Sequence, residues 1–222
     1  MRCFIIGNGQ SLTLTNLDLI VGQPSIACNR INLIYPSTTW RPDVYIHPES
    51  VVPDWEYVKE NIDLGIECWI GEHYAKPPVG ALGLIDANDL PANVHFIKEC
   101  HHHLLNFDSP DVLDEWHLPS LCSFGGSVNM AMQLAINKGY DELILLGCDL
   151  AYCDGKKKQD HMHPDYKHGQ EQPAFYAARN ALHGHLCALN TIRRKKLNVK
   201  AYNATPGGLL EIWERVRYAD VV

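Results

Sequence analysis

Short apolar runs recur along the chain and end in glycine or in a polar residue. Runs of this length, bounded by turn residues, are typical of strands buried on both faces. They lie at 2–7, 25–29, 42–47, 65–70, 93–97, 142–147 and 198–202. Helices are predicted at 54–61, 128–135, 172–189 and 209–217, where apolar residues recur at helical spacing. Alternation of strands and helices predicts an α/β fold, with a mostly parallel, twisted sheet and helices on both faces.

The segment 121–149 carries a pattern that points to chemistry. Gly125 and Gly126 come just before the helical spacing begins, and Ser127 is placed to cap or start that helix. The free N–H groups and the dipole at a helix N-terminus favour a bound phosphate, although the glycines could also serve only a tight turn. Asp149 directly follows the strand 142–147, at the edge where parallel sheets bind ligands.

Polar residues also follow the first two strands. Asn8, Gly9 and Ser11 lie in a glycine-rich turn after the first strand, and this turn lacks the third glycine of the dinucleotide fingerprint. Asn29 ends the second strand. We expect Asn8 and Asn29 to face a ligand and not the core, because a side-chain amide is costly to bury without hydrogen-bond partners.

Composition places the chain among globular proteins. It has 222 residues, 46% of them hydrophobic and 20% charged, and we expect one domain over 1–222. The segment 71–92 is rich in Pro, Gly and Ala and predicts a surface excursion, whereas the polar segment 152–170 predicts an active-site loop.

Charge and hydropathy exclude several classes of partner. The net charge of -7 argues against nucleic acid and anionic membranes as partners. No apolar run reaches the length of a membrane span, and the first residues contain no signal-peptide core. A cytoplasmic location is therefore expected.

Cysteine and histidine patterns do not assign a metal site. Eight cysteines are scattered without a Cys-x-x-Cys pair, so buried reduced thiols are expected instead of a disulfide framework or a cysteine zinc site. The consecutive histidines at 101–103 point in different directions, which disfavours a shared ion. His161 and His163 would lie on one side of an extended strand, and whether this pair binds a metal is left open.

Several of these segments together resemble the bacterial sialyltransferases that use a single Rossmann-like domain. The segments 5–12, 27–30 and 42–45 resemble the opening of those enzymes, and 126–127 with 139–149 resembles their middle. The same signatures occur in motility-accessory flagellin glycosyltransferases and in the archaeal 6-hydroxymethylpterin diphosphokinases (MptE-like). The ending 203–210 looks more like these two relatives. The resemblance covers most of the chain apart from about 50–120.

The resemblance also implies roles for individual residues. Asn8, Gly9 and Ser11 would hold nucleotide phosphate and sugar, and Asn29 would bind near the sugar of the nucleotide. Further contacts with the nucleotide would come from Gly126, Ser127, Asp149 and Tyr152, the last of these at the phosphate. His168 would be the catalytic base, just before a helix.

Three functions remain open at the level of sequence. The first is a transferase that moves a sugar from a nucleotide donor of the CMP type to a hydroxyl of a small-molecule or glycan acceptor, with no cofactor. The second is an MptE-like diphosphokinase that uses ATP and magnesium, with Asp149 and Asp154 as ligands of the metal. The third is a nucleotide-binding protein without catalysis. Assembly into a homo-oligomer is also left open.

Overall fold

The computed structural model describes residues 1–48, 54–77, 79–100, 118–122, 126–151, 161–167 and 174–222, with side chains at all of these except 99–100 and 174–180. These residues form one nine-stranded sheet whose paired strands are all parallel. The strands are β1 (Arg2–Ile6), β2 (Ser25–Cys28), β3 (Val44–His47), β4 (Glu67–Gly71), β5 (Val94–Cys100), β6 (Ser120–Cys122), β7 (Glu142–Leu146), β8 (Lys200–Asn203) and β9 (Glu214–Arg215).

Helices cover both faces of the sheet, as the sequence predicts. The α-helices are α1 (Trp55–Asp63), α2 (Ser127–Asn137) and α3 (Ala174–Arg194). Successive residues of a strand point to opposite faces. Ile5 therefore packs in one hydrophobic core, with residues of α2 and α3. Ile6 packs in the other, with α1 and with the 3-10 helices Gln10–Leu14, Leu17–Ile20 and Ile31–Ser37. The prediction of an α/β fold with helices on both faces is confirmed.

The order of the strands reverses direction at the centre of the sheet. The order is β6-β5-β4-β3-β2-β1-β7-β8-β9, so the chain moves outward from β1 on one side and then returns to pair β7 with the other side of β1. The register pairs Arg2 with Glu142 and Ile6 with Leu146. In open α/β sheets a ligand binds in the crevice outside the carboxyl ends of the strands at such a reversal. Here the order reverses between β1 and β7, so the rule directs attention to the carboxyl ends of these strands.

The prediction of a closing helix at 209–217 is wrong. Strand β9 lies there instead, paired with β8. Gly207 and Gly208 have φ of +72° and +76°, and the amide of Asn203 donates to the carbonyl of Leu210 at 2.8 Å. The guanidinium of Arg215 donates to three further carbonyl oxygens of this turn, those of Thr205, Gly207 and Gly208. In a helix over 209–217 the carbonyl of Leu210 would accept from the N–H four residues later, but here it accepts from the side chain of Asn203.

Several other elements differ from the expectation in length or were not expected. Strand β5 and helix α3 extend beyond the predicted bounds, and β6 was not predicted as a strand. Within the predicted surface excursion, a 3-10 helix (Glu72–Tyr74) and a bridge between Ala75 and Ile85 carry Tyr74 into the core. No helix in the described ranges is long and apolar enough to cross a lipid bilayer.

The expectation of reduced cysteines is met only in part. Five buried cysteines have free thiols, and they are Cys3, Cys28, Cys68, Cys148 and Cys187. Burial raises the pKa of the Cys3 and Cys68 thiols to about 12, which makes them unreactive hydrophobic side chains at neutral pH. Cys122, in contrast, is disulfide-bonded.

Candidate functional site

The turn after β1 is in direct backbone contact with the end of β7. The N–H groups of Gly7 and Gly9 donate to the carbonyl oxygens of Leu146 and Gly147, each at 2.8 Å. A Cβ at Gly7 would lie 2.5 Å from the oxygen of Gly147, and Gly147 has φ of +65°. Only residues without a side chain allow the two backbones to approach this closely. The glycines thus allow the turn after β1 to bond directly to the end of β7.

Ser11 and Asp149, both predicted to bind the nucleotide, are brought together and bond to each other. The N–H of Ser11 donates to Oδ2 of Asp149 at 2.9 Å, and the Ser11 hydroxyl donates to Oδ1. A Cβ at Gly9 would meet Cγ of the same carboxylate at 2.6 Å. The carboxylate therefore fixes the conformation of the turn after β1 and is engaged in the protein's own hydrogen bonds.

Asn8 and Asn29 lie at the carboxyl ends of the neighbouring strands β1 and β2. Nδ2 of Asn8 donates to the carbonyl of Cys28 at 2.9 Å, so half of its amide holds the two strand ends together. The Oδ1 atoms of Asn8 and of Asn29 are buried and accept no hydrogen bond within the part of the chain that the structure describes. Asn29 also has φ of +54°, a left-handed conformation that asparagine tolerates better than most residues.

Helix α2 begins where the glycine pair predicts. Gly126 is its N-cap residue and Ser127 its first residue. Asn129, in the first turn, is buried, and both polar atoms of its side chain are without hydrogen-bond partners among the described residues. Our reading of the sequence missed Asn129. The available signal was an asparagine at a helical position that faces the core, where an amide is out of place unless it has a partner.

The segment 161–167 lies against the turn after β1. His161 forms an antiparallel bridge with Gly9, and the N–H of Met162 donates to the carbonyl of Asn8 at 3.0 Å. The ring of His161 stacks on Tyr166 with 4.0 Å between centroids, whereas Nδ1 of His163 accepts from the N–H of Asp165 at 3.2 Å. The two histidines thus have different contacts.

The described residues contain no metal cluster, and three of the predicted residues lie outside them. No group of three or more His, Cys, Asp or Glu side chains that could hold a metal ion occurs among the described residues. The predicted catalytic base His168, the phosphate ligand Tyr152 and the alternative magnesium ligand Asp154 lie outside the described residues.

Arg30, the residue after Asn29, forms a buried ion pair that was not predicted from the sequence. The Nε and Nη2 atoms of Arg30 donate to the two carboxylate oxygens of Asp54 at 3.0 and 2.8 Å. Its Nη1 donates to the carbonyl of Tyr166, in the segment 161–167. His47 completes the group, with Nε2 at 3.4 Å from Asp54 and Nδ1 at 3.2 Å from the hydroxyl of Tyr74.

The charges of this pair hold both groups ionised. Burial alone would raise the pKa of Asp54, but hydrogen bonds with His47 and Arg30 outweigh burial and lower this pKa below its usual value. The hydrogen bond to Asp54 in turn raises the pKa of Arg30. A buried cation with one matched anion is a stable arrangement only while both partners are present.

Comparison with known proteins finds solved structures that share the fold of this chain. No protein-family model and no curated protein sequence matches this chain. The MAf glycosyltransferase from Magnetospirillum magneticum AMB-1 matches with a TM-score of 0.57 and 14% identity over 100% of this chain. This chain spans only 34% of that protein's length.

Two structures of the sialyltransferase CST-II match over nearly the whole length of both chains. An asparagine-to-alanine variant in complex with CMP has a TM-score of 0.54 at 14% identity, covering 97% of this chain and 86% of that one. The complex with a trisaccharide acceptor and CMP has a TM-score of 0.50 at 16% identity, covering 96% and 85%. This chain therefore has the Rossmann-like α/β fold of these glycosyltransferases, the fold that the resemblance in its sequence implies.

Proposed function

We propose that the protein is a nucleotide-sugar-dependent glycosyltransferase of the sialyltransferase-like type, which transfers a sugar from a CMP-type donor to an acceptor hydroxyl. One observation carries the proposal. Buried amide oxygens of Asn8 and Asn29, at the ends of β1 and β2 beside the reversal of strand order, have no partners among the described residues. A buried polar group left unpaired costs about 1–3 kcal/mol. A ligand that donates hydrogen bonds, as a nucleotide does through its sugar, removes this cost.

Two other buried polar atoms do not provide the same argument. Trp40 Nε1 and Tyr45 Oη are also without partners in the described ranges, but both rings belong to the hydrophobic core on the α1 face. Asn8 and Asn29 instead lie at the sheet edge where ligands bind in this architecture. The structural neighbours support the ligand class, because CST-II is seen in complex with CMP and with a trisaccharide acceptor.

The proposed reaction needs a base and stabilisation of the leaving group. The acceptor oxygen bonds to the anomeric carbon while the bond from that carbon to the phosphate oxygen breaks, and CMP leaves with the electron pair. His168 takes the proton of the acceptor hydroxyl. Main-chain N–H groups at the start of α2 and the hydroxyl of Tyr152 hydrogen-bond the leaving phosphate, where negative charge develops. This scheme routes no step through a metal.

The alternative diphosphokinase reaction makes a different demand on Asp149. In that reaction its carboxylate would bind magnesium, while both of its oxygens also accept hydrogen bonds from Ser11. Each oxygen keeps a second lone pair, so the carboxylate could bind the metal without losing these bonds. A requirement for ATP with magnesium therefore separates the two reactions.

A panel of nucleotides tests the proposal. Thermal unfolding is measured with CMP, CDP, UDP, GDP, ADP and ATP, each with and without magnesium. A ligand that binds only the folded chain stabilises it by about 2.7 kcal/mol at a concentration of 100 times its Kd. We expect CMP to raise the melting temperature most, without a need for magnesium. A rise specific to ATP with magnesium would select the diphosphokinase, and no rise with any nucleotide would rule out both reactions.

A further inference from the structure

The carboxamide of Asn129 is buried in the first turn of α2. The residue is 1% exposed, and neither Oδ1 nor Nδ2 is hydrogen-bonded in the described structure. Gln133, one turn later on α2 and equally buried, is the opposite case. Its Oε1 accepts from the N–H of Cys122 at 2.8 Å, and its Nε2 donates to the carbonyl oxygens of Cys122 and Asn129. The same helix thus holds amides with partners and, in Asn129, one without a partner among the described residues.

The unpaired amide is directed at the N-terminus of α2. A Cβ at Gly126 would lie 3.3 Å from Nδ2 of Asn129, so the amide lies beside the N-cap residue. Because Gly126 has no side chain, nothing of its own covers this amide. Helix α2 has 11 residues, and the N–H of Asn129 donates to the carbonyl of its N-cap residue Gly126 at 3.1 Å. The unpaired carboxamide therefore lies at the N-terminal end of α2.

The chemistry of the carboxamide selects the kind of group that fits. An anion would satisfy Nδ2 but would bring negative charge to Oδ1, and a cation would do the reverse. Residues 126–132 carry no charged side chain that could compensate either ion. Two adjacent hydroxyl groups satisfy both atoms, since one hydroxyl donates to Oδ1 while the next accepts from Nδ2.

We infer that Asn129 is a specificity-determining residue that binds a pair of adjacent sugar hydroxyls at the start of α2. The inference rests on the proposed function, because a CMP-sugar carries such hydroxyls both on its ribose and on the transferred sugar. It adds a neutral contact with sugar to the contact with the nucleotide expected of Gly126 and Ser127.

Calorimetric titration of four probes identifies the ligand group. The probes are CMP, 2′,3′-dideoxy-CMP, CMP-N-acetylneuraminate and inorganic phosphate, and they are titrated into the wild type, Asn129→Leu and Asn129→Asp. We expect Asn129→Leu to weaken at least one sugar-bearing probe by about tenfold or more, the loss of a bidentate contact, and to leave inorganic phosphate unchanged. If the hydroxyls are those of the ribose, Asn129→Leu should bind CMP more weakly than the wild type does and should no longer prefer CMP to its dideoxy form. If they are those of the transferred sugar, Asn129→Leu should bind only CMP-N-acetylneuraminate more weakly.

The aspartate variant separates hydroxyls from an anion. A carboxylate accepts hydrogen bonds from two hydroxyls, but it repels phosphate, including the CMP phosphate proposed to bind at the start of α2. Probes are therefore compared within each variant. The preference for the probe with the adjacent hydroxyls, CMP over its dideoxy form or CMP-N-acetylneuraminate over CMP, should be larger in Asn129→Asp than in Asn129→Leu. An equal preference in the two variants would overturn the inference.

Stability provides a readout that does not depend on the ligand. Asn129→Leu removes no hydrogen bond, so the unliganded variant should unfold at no lower denaturant concentration than the wild type. Gln133→Leu removes the partners of Cys122 and should unfold at a lower concentration. A clear loss of stability in Asn129→Leu would make the amide structural and overturn the inference. If the wild type binds a probe and Asn129→Leu binds it equally well, only the inference fails. If the wild type binds none, the proposed function fails with it.

Discussion

Gly9 and Gly126 both belong to the candidate site, but a methyl group would meet different surroundings at each. A Cβ at Gly9 would lie 2.7 Å from the carbonyl oxygen of Gly147, which is backbone held in the sheet. At Gly126 the nearest atom is the end of the Asn129 side chain at 3.3 Å. Neither glycine has a positive φ, so the difference between them is steric.

We expect Gly9→Ala to lower the free energy of unfolding by about 1–3 kcal/mol, the usual cost of overpacking. Gly126→Ala should cost at most about 1 kcal/mol, the preference of an N-cap position for glycine over alanine. Urea denaturation of both variants measures the two changes. Equal losses in the two variants would show that the contact between β1 and β7 is not as tight as described.

The sequence indicated where the residues of the site lie, but it did not indicate which of them bond to each other. Asn8, Asn29 and Asp149 each end an apolar run, and the carboxyl ends of parallel strands share one edge, so their common edge followed from the pattern. The bond between Ser11 and Asp149 did not follow, because the two residues are 138 positions apart. No local pattern encodes a contact at that separation, and the same holds for Arg30 and Asp54.

At the scale of elements, the buried strands were the clearest signal. The run 143–146 is apolar throughout, which only a strand covered on both faces requires. The segment 209–217 carries apolar residues at positions that also suit a helix, and there the tertiary contacts decide. Trp213 is buried against α3, and its Nε1 donates to Nδ1 of His185 at 3.1 Å. Such contacts override weak local preferences.

Arg30 donates both to Asp54 and to the carbonyl of Tyr166 in the segment 161–167. We therefore expect this segment to depend on the ion pair between Arg30 and Asp54. We expect Asp54→Asn to lower the free energy of unfolding by about 3–5 kcal/mol, as when one partner of a buried pair is removed. Amide exchange at Met162 and Tyr166 should become faster, since the segment loses the contact with Arg30. Hydrogen exchange followed by mass spectrometry measures this change.

A double variant provides the control for the charge. Arg30→Gln combined with Asp54→Asn leaves no buried charge unpaired, so it should be more stable than Asp54→Asn alone. Additive losses in the double variant would mean that the two charges do not depend on each other.

At the scale of the whole molecule, stability should depend on pH through His185. Burial lowers its pKa from 6.5 to about 4. Between these values the unfolded chain binds a proton that the folded chain does not, so stability falls as the pH is lowered from 6.5 to 4. The difference in pKa corresponds to a loss of about 3 kcal/mol.

The variant His185→Gln keeps an acceptor for Trp213 but cannot ionise. Its free energy of unfolding should change less between pH 6.5 and 4 than that of the wild type, as measured by urea denaturation at each pH. An unchanged acid dependence in His185→Gln would mean that another group accounts for it.

The central place of β1 also determines when the sheet can be completed. Its second neighbour is β7, and Arg2 and Glu142 of these strands are 140 residues apart in the chain. During synthesis the edge of β1 that faces β7 therefore stays open while most of the other strands are made. Contacts of such long range form slowly, and an apolar open edge is a template for pairing between chains. The strand beside the proposed ligand site is thus exposed to aggregation while the molecule is being made.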